Sequence, residues 1–150
     1  MNGLRSDYLD TLSRKFIDDF HGVEPCDFVS LFDPKKSKSI ILNLSPSNEK
    51  GSHFVAMYID GQTCIYFDPF GLKCFNQYII DFVLKIGYSQ VIYSAQQIQH
   101  FSSLFCGYYC LSFLISQQKN HLLNDFLSIF SNVDLRKNDD ICIRYIKNSI

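Results

Sequence analysis

Three residue types that together carry out nucleophilic acyl transfer are spread along the chain as His53, Asp68 and Cys106. His53 follows a polar loop and opens a β-rich run, and Asp68 closes the next such run. Asp60-Gly61 separates the two, and Asp-Gly between β-rich segments signals a tight hairpin. With Asp60 and Gly61 as the turn, Ile59 faces Gln62 and His53 faces Asp68. Directly opposed residues have Cβ atoms about 4.5–5.5 Å apart, so imidazole and carboxylate become neighbours at the open end. There an acid orients a general-base histidine and stabilises its imidazolium. On its own, such a pair reads more readily as a surface ion pair of little worth.

The pair acquires meaning from a nucleophile. Cys106 lies in Ser102-Ser103-Leu104-Phe105-Cys106-Gly107-Tyr108-Tyr109-Cys110, where a polar loop enters an apolar helix. Free N–H groups and the macrodipole at a helix start stabilise a thiolate. Gly107 would let a backbone or a substrate approach closely, whereas Cys110 is one turn deeper and reads as core. Acyl transfer also needs donors for the developing oxyanion. The Cys106 N–H is one, and the side-chain amides of Gln96, Gln97 and Gln99 are further candidates just upstream. Cys106 and Cys110 with His100 or His121 do not make a zinc set, because no second spaced cysteine pair accompanies them. No metal or other cofactor is expected.

The elements that must position these groups follow from periodicity. Leu9, Leu12, Phe16 and Phe20 predict a first helix, capped by Ser6 and ended by Gly22 and Pro25. Ser39 to Leu44 reads as a buried strand, followed by the hairpin strands His53–Ile59 and Gln62–Asp68. Pro69-Phe70-Gly71 breaks the second of these. A helix from Phe75 to Ile86 closes at Gly87, and Val91 to Tyr93 is a short strand. Helices from Leu104 to Lys119, Leu122 to Phe130 and Asp139 to Ile146 complete the chain. This order predicts an α+β fold, a mainly antiparallel sheet packed against helices.

Composition agrees. One domain is expected for 150 residues, and 47% hydrophobic residues with a net charge of −1 exclude a disordered chain. That charge gives no broad electrostatic footprint for DNA or an anionic membrane. Met1 to Asp7 shows no signal peptide, and the apolar run Phe105–Ile115 is too short to span a bilayer. A reducing, intracellular setting follows, in which Cys26, Cys64, Cys74, Cys110 and Cys142 are structural rather than a disulfide framework.

Between residues 40 and 115 the chain resembles the adenovirus-type (adenain-like) cysteine endopeptidases, distant relatives of the SUMO and ubiquitin-like-protein proteases. The likeness is carried by a His…Asp/Glu…Gln…Cys order with its neighbours. Gly51-Ser52-His53-Phe54-Val55-Ala56-Met57 is similar to the histidine strand, and Ile40-Ile41-Leu42-Asn43 to the strand before it. Cys64-Ile65-Tyr66-Phe67-Asp68-Pro69-Phe70-Gly71 is similar to the acid strand and its turn. Gln96-Gln97-Ile98-Gln99 and Cys106-Gly107-Tyr108-Tyr109-Cys110 are similar to the glutamine and nucleophile segment.

The resemblance implies a papain-like, adenain-like fold with His53, Asp68, Gln99 and Cys106 as catalytic residues. It selects Gln99 among the glutamines, seven positions before the thiol. It implies substrate contacts at Phe54, Phe70 and Gly107, and cleavage at Gly-Gly or Gly-X-Gly sites of viral capsid or core precursors. The alternatives are deconjugation of ubiquitin-like proteins and an inactive protease-like module. Phe54 stands where the family often has tryptophan, and Asp68 where the adenovirus enzymes have glutamate. Tyr88 aligns with the cysteine that binds the family's peptide activator, which argues against covalent activation. The charge argues equally against stimulation by DNA. A monomer is expected, acting in the virion and the infected cell. The size and the AT-rich codon bias suit a virophage, a Polinton-like element or a large DNA virus.

Overall fold

The computed structural model describes residues 5–150, so Met1 to Leu4, part of the stretch where no signal peptide is expected, lie outside the described residues. The first helix, α1 (Ser6–Arg14), is shorter than its apolar spacing predicts, and no side chain caps its start. The chain then turns through Asp19, at φ 53°, into a strand, β1 (Phe20–Pro25), in place of further helix. Side chains of α1 hold that strand. Asp10 Oδ2 accepts from the Val23 N–H at 2.8 Å, and Arg14 donates to the His21 carbonyl at 2.9 Å. Phe20 had fitted the helical period, but its side chain enters the core from a strand.

Strands β2 (Ser39–Asn43), β3 (Phe54–Asp60), β4 (Thr63–Phe67) and β5 (Gln90–Tyr93) complete a five-stranded sheet in the order β1-β2-β3-β4-β5. The two central pairings, β2–β3 and β3–β4, are antiparallel, while β1–β2 and β4–β5 at the edges are parallel. Helices cover both faces. Ile41, Phe54, Ala56, Ile65 and Phe67 face α3 (Cys106–Gln118), α4 (Leu123–Ser128) and α5 (Asn138–Lys147). Ile40, Leu42, Val55, Met57, Cys64 and Tyr66 face α2 (Gln77–Ile86) and the 3₁₀ turn Cys26–Leu31. Successive residues of a strand point to opposite faces, so a strand covered on both sides reads as a continuous apolar run. Every residue of β2 is accordingly buried. The α3 helix is buried nearly all round, as a helix apolar on every side must be.

The hairpin register differs from the expected one by two residues. Asp60 pairs with Thr63 and Ala56 with Phe67, which makes Gly61-Gln62 the turn. Gly61 takes φ 58° at the first central position, the place a type II′ turn reserves for glycine. A shift of two keeps every side chain on its face. His53 and Asp68 therefore become diagonal neighbours rather than opposed ones, still within reach of long side chains.

Candidate active site

His53, Phe54, Phe70, Gln99 and Cys106 line one cleft of about 680 Å³ at the end of the sheet. His53 immediately precedes β3, and Asp68 immediately follows β4. The His53 Nε2 lies 2.8 Å from Asp68 Oδ1. Asp68 is almost fully buried and braced by its own neighbours. Its Oδ1 also accepts the Phe70 N–H at 2.8 Å. Its N–H donates to Ser94 Oγ at 3.2 Å, and Ser94 Oγ donates back to its carbonyl at 3.3 Å. Phe67, one residue earlier, stacks on Phe113 of α3 with centroids 4.6 Å apart, which ties the end of β4 to the helix that Cys106 opens.

With Nε2 engaged by the carboxylate, Nδ1 is the ring atom left to face Cys106, which lines the same cleft. Burial alone would push the imidazole below its ordinary 6.5. The Asp68 bond and the Cys106 thiol more than reverse this and lift it to about 9. Phe70 lies flat on the ring, with centroids 4.5 Å apart and planes at 17°, which restrains the plane of the imidazole. A protonated imidazole under an aromatic face gains further attraction.

Cys106 is the first residue of α3, so the helix makes no claim on its N–H. Gln99 is 1% exposed and held at both ends. Its backbone N–H donates to the Pro69 carbonyl at 3.0 Å, and its side-chain Nε2 donates to the Ser103 carbonyl at 3.0 Å. Among the described residues the second Nε2 hydrogen has no partner, and Gln99 lines the cleft. Pro69-Phe70-Gly71 thus serves both halves of the site. Phe70 restrains the histidine, and Pro69 orients the glutamine segment.

Gly71 explains the closeness of that packing. It has φ 71°, and a Cβ there would sit 2.6 Å from Gln97 N and 2.7 Å from the Gln96 carbonyl carbon. Gly71→Ala is expected to destabilise the fold by at least about 1–2 kcal/mol from the left-handed backbone alone. The overlap with the Gln96–Gln97 backbone would also displace Gln99. Urea unfolding together with turnover checks this, and both should fall.

The structure brings His53, Asp68, Gln99 and Cys106 together. Phe54 reaches the cleft but is only 5% exposed and serves mainly the core. Gly107, expected at the substrate, is instead buried behind Cys106 and does not line the cleft. All six cysteines are free; Cys26, Cys64, Cys110 and Cys142 are buried, and Cys74 and Cys106 are half-buried. Among the described residues no three His, Cys, Asp or Glu side chains converge as a metal site would require, and no helix is long and apolar enough to cross a membrane. Asn43, Ser94, Ser103 and Asp139 also serve the site and were not legible beforehand. Asn43 lines the cleft and accepts the Ser45 and Ser52 N–H groups at 2.8 and 3.2 Å, shaping the loop before His53.

The fold is the one shared by adenain-like and Ulp1-like cysteine proteases. No protein-family model matches the chain, and no curated protein does. Among solved structures it is similar to the ASFV pS273R protease, with TM-score 0.64 and 18% identity over 99% of this chain and 67% of that one. It is similar to ChlaDub1 from Chlamydia trachomatis, with TM-score 0.55 and 14% identity over 77% of this chain and 62% of that one. It is similar to the SUMO protease Ulp1, with TM-score 0.52 and 14% identity over 98% of this chain and 78% of that one. The chain spans about two thirds of the length of the ASFV protease.

Proposed function

We propose that the chain is a cysteine endopeptidase that cleaves viral capsid or core precursors beside glycine during virion maturation. The observation that carries this reading is the 2.8 Å His53–Asp68 bond in a cleft shared with Cys106 and Gln99. His53 takes the Cys106 proton, and Asp68 stabilises the resulting imidazolium. The thiolate attacks the scissile carbonyl. The oxyanion forms against the Gln99 amide and the Cys106 N–H. His53 then protonates the departing amine, and water releases the acyl-enzyme. Phe54 and Phe70 narrow the channel beside the imidazole, which favours a substrate backbone without side chains next to the cut. The setting is the virion and the infected cell, the chain acts as a monomer, and no cofactor takes part. Any peptide activator binds without a disulfide at Tyr88.

A fluorogenic peptide with Gly-Gly before the leaving amine tests the reading. Turnover by the wild type, absent in Cys106→Ala, is the expected result; equal release by the two proteins overturns it. A second reading, removal of ubiquitin-like modifiers, draws on the likeness to the SUMO protease. Ubiquitin-type fluorogenic substrates run beside capsid-derived peptides separate the two, and the maturation reading expects the capsid peptides to be preferred.

A further inference from the structure

The last helix is bonded to both halves of the candidate site. Asp139, in the first turn of α5, accepts at Oδ1 from Ser103 Oγ and from the Tyr109 hydroxyl, each at 2.8 Å. Burial first, and then the carboxylate, hold the Tyr109 phenol protonated, so it stays a donor. Ser103 is a joint. Its Oγ accepts the Phe105 N–H at 3.1 Å, next to the nucleophile, while its carbonyl accepts the Gln99 amide at 3.0 Å. A serine hydroxyl has one hydrogen, and here Asp139 takes it. That fixes the Oγ so that its lone pair meets Phe105. The neighbouring residue secures the other half. Asn138, fully buried, donates to the Ile98 carbonyl at 2.7 Å, one residue before Gln99, and to the Ser131 carbonyl at 2.8 Å.

We propose that Asp139 is a positioning residue: acting through Ser103, it sets the separation between the Gln99 amide and the Cys106 thiol. This rests on the protease reading above. An oxyanion donor works only if it stands where the charge develops, and a misplacement of about 1 Å is worth about 100-fold in rate. With the Gly-Gly peptide, Asp139→Ala and Ser103→Ala are each expected to lower kcat about tenfold and to leave KM within about twofold. The double variant should be no slower than the slower single one, because both break one chain of bonds. Asp139→Asn keeps an acceptor and should recover at least half of the wild-type kcat. Tyr109→Phe removes the other bond to the same carboxylate; it should lower the melting temperature yet leave kcat within about twofold. Ser103→Ala, a small change at a half-buried site, reads the effect even if Asp139→Ala fails to fold. Additive losses, an unchanged kcat in Ser103→Ala, or a Tyr109→Phe loss equal to that of Ser103→Ala overturns the proposal. Turnover surviving in Cys106→Ala would instead overturn the protease reading itself.

Discussion

Cys106→Ala and His53→Ala are each expected to reduce turnover of a Gly-Gly peptide by a factor on the order of 10⁴–10⁶, and the double variant should be no worse than either. Groups that act as one unit lose most of their effect together, so their losses do not add. The pH dependence separates this account from loss of fold. His53 is lifted to about 9 by Asp68 and Cys106 against the opposing pull of burial. The imidazolium is therefore present through neutral pH, and activity should decline as it deprotonates around pH 9. Asp68→Asn removes the group that most raises the imidazole and leaves Cys106 alone to oppose burial. The alkaline limb should then move to lower pH, with kcat about 10²–10⁴-fold lower. A limb that stays near 9 in Asp68→Asn would dismiss the carboxylate as the source of the shift.

The same bond predicts a stability signature. A histidine raised in the folded state stabilises it most fully below the unfolded value, near 6.5, and loses that contribution as pH rises through about 9. The contribution is on the order of 3 kcal/mol. Denaturant unfolding of wild type and His53→Gln should therefore differ most below pH 6.5 and converge above 9. A constant difference across that range would count against the ion pair.

Local pattern carried a good part of this. The hairpin was legible because Asp60-Gly61 interrupts two β-rich runs, and the faces survived a register error of two because side chains alternate with a period of two. The start of α3 was legible because a polar loop meets an apolar run at Cys106. The β1 strand was not. Its Gly22 and Pro25 are residues that usually break structure, and its partners are the α1 side chains Asp10 and Arg14 and the parallel strand β2. Gly107 reads as an opening because it is a glycine beside a reactive thiol, whereas its place in the first turn of α3 buries it. Asp139 was illegible for a plainer reason. It meets Ser103 across 36 positions, and no local spacing encodes a contact that only the packing of α5 on α3 creates.

Gln99 poses the sharpest question about the oxyanion. Its amide donates one hydrogen to the Ser103 carbonyl, and its buried Oε1 has no partner among the described residues. Gln99→Ala should lower kcat about 10²–10³-fold, the usual effect of losing one oxyanion donor. The backbone bond to Pro69 persists, so the loop should keep its course. Alkylation of Cys106 by iodoacetamide builds no oxyanion and needs only the thiolate. It should proceed in Gln99→Ala within about twofold of the wild-type rate. Gln99→Glu, similar in size but anionic, should be at least as slow as Gln99→Ala, because it replaces a donor with a charge of the same sign as the oxyanion. If alkylation and peptide hydrolysis fell together in Gln99→Ala, the glutamine would be supporting the thiol rather than the transition state, and the oxyanion would rest on the N–H of Cys106.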